Sequence, residues 1–308
     1  MSVFRLTFLG TSAAQPTARR NLSATALRVH GDHILLDCGE GTQRQMLRYG
    51  TGFATGLVLF THFHADHYLG IIGHLRTLAM NGREAPLTLH GPGPTLQSLL
   101  ARLIHLGFRN MPFPLELETL EDGQVLDRGA YTIQAVRMLH RTPTLGYVFR
   151  EPPRPGRFDP TAARELGVPE GPLFGRLQKG ETITLPDGRQ IEPGQVLGPS
   201  RPGRKVAFSG DTGPCDAFAE AAAGADLIVH ESTFGDSELM RAKETTHSTA
   251  RQAGEIAARA GARQLVLTHF SSRYDHTPEL LRDQAAEVFG GEIVCAHDGL
   301  TIEVPYRA

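Results

Sequence analysis

The 308-residue sequence predicts a layered α/β sandwich with helices on both outer faces and one segment inserted into its second half. Three observations carry that prediction. Apolar runs of strand length alternate with amphipathic stretches of helix length, before and after the middle of the chain. Four of the runs end on a histidine, an aspartate or a glutamate, at the rim where α/β sheets gather their functional groups. Between the two halves, residues 152–203 hold 19 glycines and prolines in 52 positions, too many for one regular element.

Residues 3–9, 24–29 and 33–37 alternate or cluster apolar side chains at strand spacing. CGEGTQRQMLRYG then opens a helix, with Gly41 at its mouth and Gly50 beyond its end. A strand at 57–60 runs into THFHADH, and LGIIGHLRTLAM reads as the helix that follows. PLTLH is a short strand, and TLQSLLARLIHLG an amphipathic helix stopped by Gly107. Strands follow near 114–119, 131–138 and 145–149.

The Gly/Pro-dense stretch carries a short helix at 160–166 and the apolar anchors Phe158, Leu166, Val168, Leu173, Phe174, Leu177 and Ile183. A disordered linker is the competing reading. The anchors argue against it, because disordered segments are poor in them. Residues 152–203 are therefore expected to form an arm projecting from the core of a single domain over 1–308. RKVAFSGDTG resumes with a strand and a turn. CDAFAEAAAGADLIVHEST and STARQAGEIAARAGARQLVLTHFSSRY each run helix then strand, and LLRDQAAEVFGGEIVCAHDGLTIEV closes the chain.

An apolar content of 40% is that of an ordinary globular protein. A net charge of -2 excludes a strongly basic polyanion binder by bulk charge, yet leaves room for a local patch. Residues 150–205 hold ten Arg or Lys against seven Asp or Glu. Cys38, Cys215 and Cys295 are odd in number and scattered, so no disulfide framework is implied and a cytoplasmic location is expected. Cys215 reads as a small buried residue. MSVFRLTFLG is too short and too charged for a secretory signal, and no run of 18 apolar residues exists, so no membrane partner is expected.

THFHADH puts His62, His64, Asp66 and His67 within six positions of a strand end. Imidazoles packed that densely repel when protonated unless something organises them. Neutral imidazole is the commonest metal ligand, and aspartate adds anionic oxygen. Strand alternation puts His62 and His64 on one side, and after the turn Asp66 and His67 face a neighbouring point, which suggests two adjacent metals. His140, Asp211, His269 and the pair His230–Glu231 each follow another apolar run and converge on the same rim.

THFHADH resembles the HxHxDH signature of metallo-β-lactamase-fold hydrolases, and the resemblance spans almost the whole chain. It implies a four-layer αββα sandwich. It also implies that His62, His64 and His140 hold one zinc, that Asp66, His67 and His269 hold a second, and that Asp211 bridges them. Finer features resemble the ribonuclease Z family of tRNA 3′-processing endoribonucleases. FLGTSAAQPTARRNLSA is similar to that family's first motif and its PxKxRN loop, with Ala18 at the Lys position, Arg19 beside it, and Pro16, Arg20 and Asn21 in place. LLDCGEGTQRQ, FSGDTGP and THSTA resemble further motifs, the last a loop at the scissile phosphate. FDPTAARELGVPEGPLFGRLQKGETITLPDG resembles the arm that grips the tRNA body.

The resemblance implies two zinc ions per subunit, with Mn or Fe(II) admitted by the same donors. It implies precursor tRNA as partner, a homodimer whose arm serves the other subunit, and no DNA partner. Cleavage would leave a 3′-hydroxyl on the tRNA and a 5′-phosphate on the trailer. Asp66 would orient the attacking water, His247 would protonate the leaving 3′-oxygen, and Glu231 would hold His247 in the right tautomer. Ser248 or Thr249 already serves as helix cap, which frees His247. Arg19, Arg20 and Asn21, with Arg176 and Lys179 on the arm, are the expected RNA contacts. Two rival functions stand beside this one. A small-molecule phosphodiesterase or esterase of the same fold needs no arm, and a non-catalytic RNA-binding protein has no use for seven ligands.

Overall fold

The computed structural model describes residues 3–108 and 110–307, the side chains of Thr95 and Leu96 aside. The chain divides into two compact units. One comprises the chain up to Arg150 together with Lys205–Pro305, and the other comprises Glu151–Arg204 and the tail from Tyr306.

The larger unit is built on two seven-stranded sheets. The first holds β1 (Phe4–Gly10), β2 (Ala24–Val29), β3 (Asp32–Leu36), β4 (Leu57–Leu59), β5 (Leu87–Pro92) and β6 (Leu115–Leu120), side by side in chain order. The second begins with β7 (Val125–Asp127), β8 (Thr132–Arg137) and β9 (Leu145–Arg150). In the smaller unit β10 (Ile183–Thr184) and β11 (Gln190–Ile191) form a two-stranded hairpin. β12 (Lys205–Phe208), β13 (Leu227–Glu231), β14 (Gln264–Thr268) and β15 (Glu292–Cys295) complete the second sheet, and β16 (Thr301–Glu303) returns to pair with β1. β9 and β12 are antiparallel neighbours with Arg150 opposite Lys205, so the chain leaves the second sheet and re-enters it on one rung.

The two sheets face each other. Phe4, Leu6 and Phe8 recur every second residue on β1 and bury against Tyr147, Phe149 and Phe208 in one shared core. Helices α1 (Thr42–Arg48), α2 (Ala65–Tyr68), α3 (Ile71–Met80) and α4 (Pro94–Gly107) follow strands of the first sheet. The apolar stripe Ile71, Leu75 and Leu78 of α3 packs with Val58 and Leu89. The smaller unit carries α5 (Pro160–Glu165) and α6 (Pro172–Gln178). α7 (Asp216–Ala221), α8 (Leu239–Thr245), α9 (Ala250–Arg259) and α10 (Pro278–Ala286) follow in the larger one, where Ala253, Ile256 and Ala257 pack with Ile228 and Leu265. Helix, sheet, sheet and helix make the four layers that the resemblance implied. None of the described helices is long and apolar enough to cross a membrane.

Within residues 152–203 the expected helix at 160–166 is α5, begun by Asp159, which accepts from the N–H groups of Thr161 and Ala162. Val168, Leu177 and Ile183 join Ala163, Leu185, Ile191 and Val196 in a core of the smaller unit's own, with Phe158, Leu166, Leu173 and Phe174 packed around it. Helix α6 and the hairpin are additions to the sequence reading, as are α2, α8 and β7. Each is a single turn or two, or a few paired residues, too short for periodicity to register.

His74 on α3 is buried and neither ring nitrogen has a hydrogen-bond partner among the described residues. Burial lowers its pKa from 6.5 to about 4, with a smaller push from Arg83. The unfolded chain therefore binds the proton more readily, and stability falls as pH drops from 6.5 through 4. His74→Leu is expected to match the parent at pH 7 and to exceed it by about 2 kcal/mol at pH 5. Urea melts at the two pH values measure this, and an equal difference at both would refute it.

Candidate metal centre

Strand β4 ends at Leu59, and Phe60–His64 run on without regular structure into α2, which places Asp66 and His67 in its single turn. The turn is locked to the loop after β3. Cys38 N–H donates to His67 O (2.7 Å), and Gly70 N–H donates to Cys38 O (2.9 Å). Only glycine fits at 70, because a Cβ there would lie 2.0 Å from Gly39 O. His140 follows β8, Asp211 follows β12, and His269 follows β14. Ala14, Asp37, Thr246 and His269 all adopt left-handed backbone angles, with φ between 55° and 59°. Four non-glycine residues in that region around one site mark a surrounding structure that over-determines them.

The seven predicted donors meet. His62 Nε2 lies 3.0 Å from His64 Nδ1, which lies 3.3 Å from His140 Nε2. Asp211 Oδ2 is 3.5 Å from His62 Nε2. On the other side His67 Nε2 and His269 Nε2 are 3.3 Å apart, and Asp66 Oδ2 is 3.5 Å from each. Asp211 reaches this group too, with Oδ2 3.5 Å from His67 Nε2 and Oδ1 3.3 Å from His269 Nε2.

The residues fit a pair of divalent metals, on two observations. The first is spacing. Donors about 2.0–2.1 Å from a tetrahedral zinc stand about 3.3 Å from one another, close to the separations above. The second is orientation. His62 Nδ1 faces Thr61 Oγ1 (3.0 Å), His67 Nδ1 faces Asp37 Oδ2 (2.8 Å), His140 Nδ1 faces Thr246 O (2.8 Å) and His269 Nδ1 faces Thr233 Oγ1 (2.9 Å). Each Nδ1–H donates to that oxygen and leaves the Nε2 lone pair turned inward, the usual outer arrangement of metal-bound histidine. Thr61 Oγ1 itself donates to Asp37 Oδ2 (2.9 Å), which leaves its lone pair for His62.

Electrostatics point the same way. Burial lowers the His62 imidazole well below its ordinary value, and His67 pushes it further, so it is neutral. Burial also opposes charge on His67, but Asp211, Asp66 and Asp37 outweigh it and hold that imidazole protonated. Burial raises Asp66 and Asp211, while the neighbouring imidazoles more than offset this and keep both ionised. Without metal, the cage draws a proton to the place where its carboxylates converge.

His247 and Glu231 stand beside the cage. His247 Nδ1–H donates to Glu231 Oε1 (2.6 Å), and its ring stacks on His269 at 5.6 Å. Glu231 is buried and also accepts from Thr212 N–H (2.9 Å) and Thr233 Oγ1–H (2.7 Å). Burial lowers His247, but the Glu231 carboxylate prevails and its pKa is pushed up to about 9. Asp211, His247 and His269 form a third group whose donor atoms lie within 4.8 Å of one another. A cleft of about 390 Å³ opens over this side, lined by Ala14, Asp66, Phe234, Arg241, His247 and Arg273. Thr249, not Ser248, caps α9, with Gln252 completing a capping box. His230 points away into the core beside Phe218.

The remaining predicted residues are those expected to touch RNA. Of the three loop residues expected to touch RNA, Arg19 is exposed. Arg20 is not. Its guanidinium is buried, donates to Thr11 Oγ1 and Ala296 O (both 2.7 Å) and sits over the Phe270 ring. It holds the loop rather than reaching outward, which corrects the expectation of a contact. Asn21 is likewise engaged, through Asp298 Oδ2 (2.7 Å) and Glu40 O (2.9 Å). In the smaller unit Arg176 pairs with Glu181 (2.9 Å), and Lys179 is exposed at the end of α6. Sequence reasoning missed Asp37, Thr61, Thr233 and the Ala14 N–H, which donates to Asp66 Oδ2 (2.8 Å). Asp37 had a signal, since it too follows a strand.

A family model described as "Beta-lactamase superfamily domain" matches residues 183–270, and one described as "Anti-Pycsar protein Apyc1" matches residues 4–148. A ribonuclease Z of Myxococcus xanthus is 58% identical over 307 residues, covering 100% of both chains. A ribonuclease Z of Halorubrum lacusprofundi is 47% identical, covering 98% of this chain and 97% of its own. Among solved structures, the short form of human tRNase Z superposes with a TM-score of 0.69 at 26% identity, covering 98% of this chain and 99% of that one.

Proposed function

The chain belongs to the ribonuclease Z family, and from that premise we propose that it is a metal-dependent endoribonuclease that removes the 3′ trailer of precursor tRNA. The observation that carries this reading is the buried seven-donor cage with His247 and Glu231 at its side. His62, His64 and His140 would hold one zinc, Asp66, His67 and His269 the other, and Asp211 both. Metal there supplies charge neutralisation at the phosphoryl oxygens and acidifies water.

The chain's own residues do the rest. Asp66 stays ionised, is steadied by the Ala14 N–H, and orients the attacking water. Water adds at phosphorus, releasing to solvent a proton equivalent to the one that later restores His247, and the bond to the tRNA 3′-oxygen breaks. His247 Nε2–H gives that oxygen its proton, which leaves a 3′-hydroxyl on the tRNA and a 5′-phosphate on the trailer. Glu231 fixes the imidazole through Nδ1, so that Nε2 is the nitrogen presented to substrate. Arg19 contacts the RNA backbone while Arg20 and Asn21 shape its loop, and the smaller unit, with Arg176 and Lys179, acts as the arm that grips the tRNA body.

A cytoplasmic homodimer completes the proposal. Leu47 on α1, Met80 on α3 and Leu106 on α4 are large apolar side chains left 69%, 81% and 85% exposed on helices of the first sheet's layer, which suits burial against a second copy. Light scattering tests the dimer. Incubation with a precursor tRNA, end analysis of the products and metal analysis of the purified protein test the rest. A metal-loaded protein that splits only small diesters would favour the small-molecule phosphodiesterase, and one that binds tRNA without cutting it would favour the binding protein.

His247→Ala is expected to slow cleavage by about 10²–10³ while metal content stays at the parental value. Elemental analysis beside the cleavage assay measures both. Stoichiometric loss of metal would instead make His247 a ligand, in the third donor group.

A further inference from the structure

The larger unit carries a second pocket, of about 170 Å³, on the outward face of its first sheet. Leu6 of β1, Leu27 of β2 and Ile34 of β3 point into the core between the sheets. Strand alternation therefore turns their neighbours Arg5, Arg28 and His33 the other way, and all three line the pocket. It lies at the end of the sheet away from the metal donors. Arg5 is five residues before Gly10 on β1, about 17 Å along an extended strand, and the loop over Asp66 begins only after Gly10.

The three basic residues stand in one cross-strand row. Arg5 is opposite Arg28, and Arg28 is opposite His33. Two guanidiniums facing across strands repel, so the row costs stability unless an anion answers it. Arg5 is answered from its other side by Glu303, with Nε donating to Oε1 at 2.8 Å. Arg28 is exposed and has no carboxylate partner among the described residues, and no carboxylate lines the pocket. Burial, and then Arg28, lower the His33 imidazole from 6.5, so the ring is neutral and offers one N–H. The walls add hydroxyls. Thr7 Oγ1 and Thr301 Oγ1 lie 3.0 Å apart, so one donates to the other and the acceptor keeps its own proton to give. Tyr49 closes one side. Its ring is seated against Gly299, where a Cβ would lie 2.3 Å from Tyr49 Cε1.

We propose that this pocket binds one compact phosphate group, free or as the end of a small monoester, between the Arg28 guanidinium, the His33 imidazole and the Thr7–Thr301 hydroxyl pair. The planar fork of Arg28 matches two phosphate oxygens, and the ring and hydroxyl donate to the others. A bound anion also removes the repulsion between Arg5 and Arg28. The pocket shares no lining residue with the cleft over the metal donors, so the anion is separate from the reacting phosphate.

The test follows the His33 ring by NMR in the full-length, zinc-loaded protein at constant ionic strength, its signal assigned by its absence in His33→Gln. Inorganic phosphate and adenosine 5′-monophosphate are titrated separately against a KCl baseline. A saturable movement of the His33 signal is expected, and the probe that acts at lower concentration tells a free ion from a monoester. Arg28→Gln should weaken the titration about tenfold to a hundredfold, and Arg28→Lys, which keeps the charge but loses the fork, by less. In KCl alone Arg28→Gln should melt at or above the parental temperature, because one repulsion is gone, which also shows that the variant is folded. No saturable movement with either probe would overturn the proposal, as would the same titration in Arg28→Gln. Movement with an oligoribonucleotide but with neither small probe would overturn it in favour of an RNA contact.

Discussion

Asp66→Ala is expected to lower precursor-tRNA cleavage by about three orders of magnitude while circular dichroism is unchanged and the melting temperature moves by no more than about 5 °C. Asp66 is buried and ionised, 3.5 Å from two imidazoles of the cage, and it accepts the Ala14 N–H. On the proposed reading the variant loses both a metal donor and the group that orients water. Little of the fold depends on it, because α2 is held by backbone bonds from Cys38 and Gly70. Cleavage assays, circular dichroism and thermal melts on one preparation measure all three, with elemental analysis beside them. Parental cleavage by a fully metallated variant would remove Asp66 from the chemistry.

Deleting residues 152–203 behind a short Gly/Ser bridge should produce the second large effect, about 10²–10³ in kcat/KM on precursor tRNA, with hydrolysis of bis-(p-nitrophenyl) phosphate retained. Register makes the deletion feasible. Arg150 and Lys205 are opposite each other on β9 and β12, and opposed residues of antiparallel strands are only about 5 Å apart. Glu151 and Arg204 survive at the two ends and keep their buried ion pair. The apolar anchors leave together, since they pack with one another. All seven donors lie outside the deleted stretch. The loss should appear chiefly in KM and be greatest at low salt, where the phosphate contacts it removes are strongest. Equal loss on both substrates with metal bound would place part of the deleted stretch at the reacting phosphate.

The proposed donors could be picked out because each stands where an apolar run stops, and a strand end is a local property of sequence. Their support was not. Thr233 matters because its hydroxyl lies between Glu231 and His269, and Ala14 because its N–H meets a residue 52 positions away. Such bonds exist only after the sheets are assembled. Arg20 was misread for a related reason. Composition says that a guanidinium is present but not whether Thr11, Ala296 and Phe270 will enclose it. The apolar anchors of 152–203 correctly implied packing, while α6 and the β10–β11 hairpin were hidden by the glycines and prolines that bound them. Pairing of the final strand was equally invisible, because periodicity identifies a strand without naming its neighbour.

That pairing has a temporal consequence during biosynthesis. β1 leaves the ribosome well before the partner on its outer edge, β16, with Arg5 opposite Glu303. At ordinary elongation rates roughly half a minute separates them. Throughout that interval the nascent sheet presents an uncovered strand edge, the geometry that recruits foreign strands. The loop carrying Thr11, Arg20 and Asn21 waits equally long, because its acceptors are Asp298 and Ala296. High contact order of this kind slows folding and lengthens dependence on chaperones. A chain cut short after Cys295 keeps every one of the seven donors, yet lacks the cover on β1 and the anchors that hold the loop beside them.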